Sequence, residues 1–268
     1  MSDPIAPLIN ALHAQGRLRV WSLVITVFGD LVQDRGGEVS TARLGQLLGR
    51  VGVEQGTLRT ALSRLGRDGW VTSTRSGRTS LYRLSPEGLA RFAPATTRIY
   101  AAPAEGPVDS WTIRVELDAA GNEVLHLTPE GEDRDRSGDL RLTGRIEELS
   151  DAFRAKLLTS SHRHALAGLA LDLAALDRVD LSDPLDAAAA RMLLIHRWRR
   201  IVLRYDDLRP DLMPGDAPLA DPRRAVARAY RRLFPAAEAW LDSASGDMAA
   251  MPPAEPRLAR RFGQSDQA

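Results

Sequence analysis

At Gly69 the spacing of apolar residues changes period. Before it, Leu58, Ala61, Leu62 and Leu65 recur as they do on one face of a helix. After it, the runs WVTST (70–74) and LYRL (81–84) alternate as strands do, around a turn at Arg75-Ser76-Gly77-Arg78. Few folds accept a helix that feeds at once into a tight hairpin. The residues upstream narrow the choice further. A helix is predicted over 17–34 from the spacing of Leu18, Trp21, Val24, Ile25, Phe28, Leu31 and Val32, and Arg35-Gly36-Gly37 ends it. Ser40 is placed to cap a second helix carrying Leu44, Leu47 and Leu48. Residues 49–53 form a short turn, and a third helix runs over 54–68. Helix, helix, short turn, helix, hairpin is the order of a winged helix-turn-helix.

The polar side of this unit is basic. The stretch 52–85 holds six arginines, no lysine and two carboxylates, Glu54 and Asp68. Arg59, Thr60, Ser63 and Arg67 face away from the leucines of the third helix, with Arg64 on the flank. Guanidinium groups pair bidentately with phosphates and with the O6/N7 edge of guanine. The DNA-binding candidates are therefore Gln55, Arg59, Thr60, Ser63, Arg64 and Arg67 on the helix, with Arg75 and Arg78 at the hairpin tip. Trp70 and Tyr82 could stack on bases; as ordinary core residues they would tie the hairpin to the helices. Charge is uneven along the chain. Residues 1–98 carry 13 Arg against 7 acidic residues, and residues 99–268 carry 23 basic against 28 acidic ones. A basic half points to a polyanionic partner, double-stranded DNA here. The same elements also build protein-interaction modules, which lack salt-dependent affinity for duplex DNA.

Beyond the hairpin the pattern is looser. Residues 1–16 read as a loose arm. Pro86-Glu87-Gly88 opens a short helix reaching Phe92, and a Pro/Ala-rich linker follows to Pro107. Residues 111–117 and 123–127 alternate as two strands, 129–139 form a charged loop, and 140–146 suit either a strand or a helix start. Helical periodicity then dominates. Ser182-Asp183-Pro184 signals a helix start, and that helix extends to about Tyr205 with Arg197, Arg199, Arg200 and Arg204 in its last turns, at the negative end of its dipole. A final helix spans 222–243, with Pro235 set to kink or split it. The overall expectation is α+β, mostly helical: a winged helix-turn-helix domain over 1–98, a small α/β middle domain over 99–178, a helical domain over 179–245 and a disordered tail over 246–268.

Several chemistries are excluded by residue type. The chain has no cysteine, which removes disulfides, thiolate metal sites and cysteine nucleophiles. His162 and His164 are two apart and face away from each other on a helix, and no third ligand stands at metal spacing. Asp206-Asp207 and Glu147-Glu148 are adjacent pairs that diverge. No phosphate-cradling glycine loop and no nucleophile elbow occurs. No catalytic residue, no metal and no cofactor is expected. The opening residues do not read as a secretory signal, and the longest apolar run, 21–28, is too short to span a bilayer. A cytoplasmic protein without membrane contact is the expectation. His196 lies between an apolar face and the arginine cluster; it reads as a core histidine or as a ligand contact. The cluster itself reads as a phosphate site or as salt bridges to Asp206, Asp207 and Glu238.

Two segments resemble the PaaX family of transcriptional repressors. In the first, SLVITVFGD (22–30) is followed by RGG (35–37), LRTALSRL (58–65), DGW (68–70), Gly77-Arg78, YRL (82–84) and RIY (98–100). In the second, RMLLIHRWRRI (191–201) precedes Leu203-Arg204, Leu212-Met213-Pro214, Tyr230, Leu233 and AEAWL (237–241). The resemblance implies a winged-helix domain, a ferredoxin-like middle domain and a C-terminal helical domain. It implies a homodimeric repressor of a phenylacetate-type catabolic operon, released by phenylacetyl-CoA or another acyl-CoA. Such an effector would bind between the middle and C-terminal domains, against His196, Arg197, Arg199, Arg200 and Arg204.

Overall fold

The computed structural model describes residues 3–14, 18–77, 79–132, 137–246 and 248–263. The chain forms two compact units, one of Met1–Pro103, Ser160–Asp207 and Asp221–Ala268, the other of Ala104–Thr159 and Leu208–Ala220.

The first unit begins with α1 (Ala6–His13), where a loose arm was expected; Leu8 and Leu12 are buried and give the segment a core face. Helix α2 (Val20–Val27) passes directly into a π turn (Phe28–Val32). Strand β1 (Glu38–Ser40) leads into α3 (Thr41–Arg50), whose cap is the Ser40 hydroxyl accepting from the Arg43 N–H at 3.1 Å. After a four-residue turn, α4 (Gln55–Arg67) buries Leu58, Ala61, Leu62 and Leu65, packing on α2. Strands β2 (Val71–Ser76) and β3 (Thr79–Leu84) pair antiparallel, and β1 adds to β3, so the sheet order is β1-β3-β2. Helix α5 (Pro86–Ile99), capped by Ser85, runs well past the expected end at Phe92 and passes through Pro94. Proline at that position removes one backbone donor, and the linker expected there is helical.

Helices α7 (Ser160–Asp177), α8 (Pro184–Val202) and α9 (Pro222–Asp242) belong to this same unit. The separate domains expected over 1–98 and 179–245 are thus one body. The reason lies in α8. It is buried nearly all round, and the run Ala187–Ala190 has no exposed surface. A helix buried all round over 187–196 needs cover on every side; α2, α3, α7 and α9 all pack on it. Pro235 neither splits nor ends α9.

Six buried charges lie at the centre of the unit. Arg191 donates to Asp30 at 2.8 Å and to Glu238 at 2.5 Å. Arg35 also takes Glu238, at 2.5 Å. Arg261 spans Asp30 at 2.9 Å and Asp34 at 2.8 Å. Three guanidinium groups thus meet three carboxylates. Burial alone would weaken the Arg191 charge, but Asp30 and Glu238 outweigh it and raise its pKa above the ordinary range. The π turn follows from this arrangement: the Gly29 carbonyl accepts from Arg261, and the Asp30 carbonyl from both Arg261 and Arg191. Side-chain donors make a local departure from α-helical bonding tolerable.

Arg261 comes from the region expected to be a disordered tail. Instead, Pro256–Gly263 forms a short 3-10 segment with Leu258, Arg261 and Phe262 buried. Phe262 takes a left-handed φ of 56°, which costs a non-glycine residue about 1–3 kcal/mol. Its ring packs at 5.5 Å from Tyr100 and 5.3 Å from Tyr230, and its N–H donates to the Tyr100 carbonyl. Burial of these rings and the Arg261 pairs offset the strain.

The second unit contains β4 (Trp111–Leu117), β5 (Glu123–Pro129), β6 (Leu140–Gly144) and α6 (Asp151–Leu157). The ambiguous 140–146 segment is a strand. The sheet order is β5-β4-β6, antiparallel throughout. The ferredoxin-like plan is not formed by the described residues, because β4 and β5 are joined by a tight turn with no crossover helix between them.

Arg191→Ala should destabilise the protein by ~3–5 kcal/mol in urea denaturation, because it strands Asp30 and Glu238 in the core. Adding Asp30→Ala should lose less than the sum of the two single changes, since both members of one pair then leave together. A single-variant loss below ~1 kcal/mol would show that the network contributes little to stability.

Candidate nucleic-acid interface

Helix α4 presents two faces set by its sequence. Its leucines lock it to α2, and the opposite side is open: Arg59, Thr60, Ser63, Arg64 and Arg67 are all exposed. On a 3.6-residue helix Arg59, Ser63 and Arg67 form one row, and Thr60 and Arg64 the next. Arg59 and Arg67 have no ion-pair partner among the described residues. Arg64 reaches Asp68 only at 3.5 Å, one turn along. Thr60 spends its hydroxyl proton on the Gly56 carbonyl at 3.0 Å, leaving its lone pairs outward.

Gln55 is placed differently. Its amide lies over α3, where a Cβ on Gly45 would come within 2.5 Å of Nε2. Gln55 itself is exposed, so its amide lies at the surface beside Gly45. The turn between the helices is held by Gly52, at φ 84°, and by buried Val51 and Val53.

The hairpin is fixed to the helices at its base. Thr41 donates to the Ser80 carbonyl at 3.0 Å, and Ser85 donates to the Gly69 carbonyl at 2.5 Å. Trp70 and Tyr82 are half-buried, and Arg91 lies 5.4 Å over the Trp70 ring. Arg75 is exposed near the tip and donates to the Gly77 carbonyl at 3.3 Å. Arg78 lies outside the described residues. Sequence reading passed over the exposed hydroxyls of Thr72, Ser73 and Thr74 on β2. The signal was present: a polar run on what proves to be an edge strand. Arg83, by contrast, is paired with Glu38 at 2.8 Å.

The second group of candidates sits at the end of α8, and most of it is turned inward. His196 is buried, with Nδ1 3.0 Å from the Thr26 hydroxyl. Arg199 donates to that same hydroxyl at 3.0 Å and to the Ser22 carbonyl at 2.9 Å. Arg197 is tied to Asp172. The partners considered from sequence are engaged elsewhere: Asp207 holds Arg223, and Glu238 holds Arg35 and Arg191. Arg200 and Arg204 are exposed, and Arg204 lies 5.4 Å over the Tyr205 ring. His162 stacks on Tyr205 at 4.5 Å. Among the described residues no cluster of three or more His, Cys, Asp or Glu could hold a metal ion, and no helix is long and apolar enough to cross a membrane.

Residues 19–88 match the family described as PaaX-like protein, and residues 148–243 match the PaaX-like protein C-terminal domain. The chain belongs to the PaaX-like family. It is 27% identical over 285 residues to the transcriptional repressor PaaX of Escherichia coli (strain K12), an alignment covering 87% of this chain and 85% of that protein. The first matched region contains α2, α3, α4 and the hairpin, and the second contains α6, α7, α8 and α9.

Burial, with Arg199, Arg200 and Arg197 adding to it, pushes the His196 pKa down to about 3. Between pH 6.5 and 3 this ring binds a proton in the unfolded chain but not in the folded one. Stability should therefore fall as pH drops below about 6.5. His196→Gln should flatten the slope of unfolding free energy against pH between about 6.5 and 4.5, measured in parallel urea titrations. Identical slopes in both proteins would mean the ring protonates freely in the fold.

Proposed function

We propose that this chain is a transcriptional repressor and that its α3–turn–α4–hairpin unit is a winged helix-turn-helix bound to duplex DNA. The carrying observation is the outer face of α4, where Arg59, Arg64 and Arg67 stand exposed with Thr60 and Ser63 between them. Elsewhere in this unit many arginines are consumed by buried carboxylates and carbonyls. A helix that keeps its guanidinium groups outside, one hairpin away from Arg75, is built for an external polyanion. Family membership supports the reading, as does the name of the Escherichia coli relative. In this scheme α4 enters the major groove and the hairpin follows the backbone. Arginine–phosphate contacts supply most of the affinity. Arg59, near the start of α4, reads a base edge; Arg67 and Arg75 hold phosphates.

The test is fluorescence anisotropy with a duplex from the gene's own upstream region against a scrambled duplex, at several salt concentrations. Arg59→Ala should weaken specific binding by ~1–3 kcal/mol and non-specific binding by less. Arg75→Ala should weaken both and lower the salt slope by about one. No preference for the upstream duplex at any salt would favour a protein-interaction role. We also propose release by an acyl-CoA thioester of the phenylacetyl type, for which exposed Arg200 and Arg204 offer phosphate contacts. Adding phenylacetyl-CoA to the same titration tests that step.

A two-fold dimer belongs to the same proposal, because paired recognition helices need paired half-sites. It is supported by the sheet of the second unit. Opposed residues of an antiparallel pair share a face, so Val115 groups with Leu125 and Leu140, and Ile113 with Leu127 and Leu142. Leu117 is 56% and Leu142 55% exposed, while Thr112 and Arg114 on the opposite face are buried. A sheet with its aliphatic side outward suits a second copy of itself. Leu142→Glu should shift the protein toward monomer in sedimentation velocity, with its far-UV spectrum unchanged. An unaltered sedimentation coefficient would remove this face from the interface.

A further inference from the structure

Between the π turn, α5 and the C-terminal segment lies an open cavity of about 530 Å³, within the range of small-ligand sites. Its two walls differ in chemistry. One is apolar, made by Leu89, Phe92 and Ala93 of α5. The other is cationic, made by Arg257, Arg260 and Arg261 beside the Asp34 carboxylate. Two of those cations are already matched. Asp34 holds Arg257 at 2.5 Å and Arg261 at 2.8 Å, Glu255 also takes Arg257 at 3.1 Å, and Asp30 takes Arg261 as well. Arg260 is exposed and pairs with no carboxylate among the described residues. Its guanidinium stands at the rim of the cavity.

Gly29 determines how the apolar wall closes. A Cβ at this position would lie 2.2 Å from the Phe92 ring. Only glycine lets that ring come up against the π turn and complete the floor. Arg257, Arg260 and Arg261 all lie beyond residue 243, where the second family match ends. The cationic wall is thus contributed by a segment outside both matched regions.

We infer that this cavity binds a small organic monocarboxylate with an apolar body. The carboxylate meets Arg260, whose planar fork fits it bidentately. The body lies on Leu89 and Phe92, whose apolar surface it removes from water. One unmatched guanidinium selects a single negative charge over a phosphate dianion. The site is separate from the α4 face, so its occupancy is read without DNA.

The experiment is isothermal titration of the full chain with 4-phenylbutyrate, 4-phenylbutyramide and butyrate. The acid should bind saturably with one site per chain. The amide, lacking charge, and butyrate, lacking the ring, should each bind about tenfold more weakly or worse. Arg260→Ala should cost the acid about tenfold while leaving the amide unchanged. Ala93→Trp, filling the cavity from an exposed position, should abolish binding with the thermal midpoint retained. Absence of saturable binding by the acid at millimolar concentration would overturn the assignment. So would equal affinity in the Arg260 and Ala93 variants, which would place the acid elsewhere.

Discussion

The cluster of Asp30, Asp34, Arg35, Arg191, Glu238 and Arg261 ties together parts of the chain more than 200 residues apart. Charges taken out of water carry a desolvation penalty that only good geometry and full pairing repay. Here each guanidinium meets at least one carboxylate, and spare donors go to the Gly29 and Asp30 carbonyls. The Tyr230 hydroxyl accepts from Arg261 at 3.0 Å, and the Tyr100 hydroxyl donates to Asp30 at 2.8 Å. Burial drives both phenol pKa values up, Tyr230 to about 12, so both stay neutral donors or acceptors. An apolar core would have tolerated sliding of α8 against α2; a paired ionic core defines one register.

That register reaches the proposed DNA surface. Asp30 sits in the π turn that continues α2, and α2 carries the apolar side of α4. A second clasp acts beside it: buried Arg43 of α3 donates to the carbonyls of Trp240, Ser243 and Ala249 and lies 4.8 Å over the Trp240 ring. Both α3 and α4 are thus braced from the C-terminal half of the chain. The braces use arginine, whose donors can satisfy several acceptors at once. The α4 face uses the same residue type, yet among the described residues Arg59 and Arg67 meet no carboxylate and Arg64 meets only Asp68 of its own C-cap, at 3.5 Å.

Much of the local structure was legible in the sequence. The order of α2, α3, α4 and the hairpin followed from apolar spacing, from the Ser40 cap and from the glycines at 52, 69 and 77, which take positive φ. Long-range outcomes were not legible. Nothing local announces that α8 lies in the same body as α2, since the partners of its buried Arg191 and the cover of its alanines come from distant parts of the chain. The C-terminal segment was misread because its composition is that of a loose tail; Arg261 and Phe262 are held by partners far upstream. In the second unit alternation gave β4 and β5 correctly as paired strands, and it was the ferredoxin-like plan implied by the family resemblance that the described residues do not form.

The candidate site divides along the same line. Arg59, Thr60, Ser63, Arg64, Arg67 and Arg75 stand at the surface as their helical and strand positions require, since one face of α4 is already spent on leucines. His196, Arg197 and Arg199 point to neighbours within the protein, and Gln55 is exposed with its amide beside Gly45. The sequence determined by itself the secondary elements, their caps and the basic face, because those depend on residues a few positions apart. Only the tertiary structure decided which arginines are structural and which are available. A guanidinium suits a buried carboxylate as well as a phosphate, and the choice rests on what the fold brings within 3 Å of it.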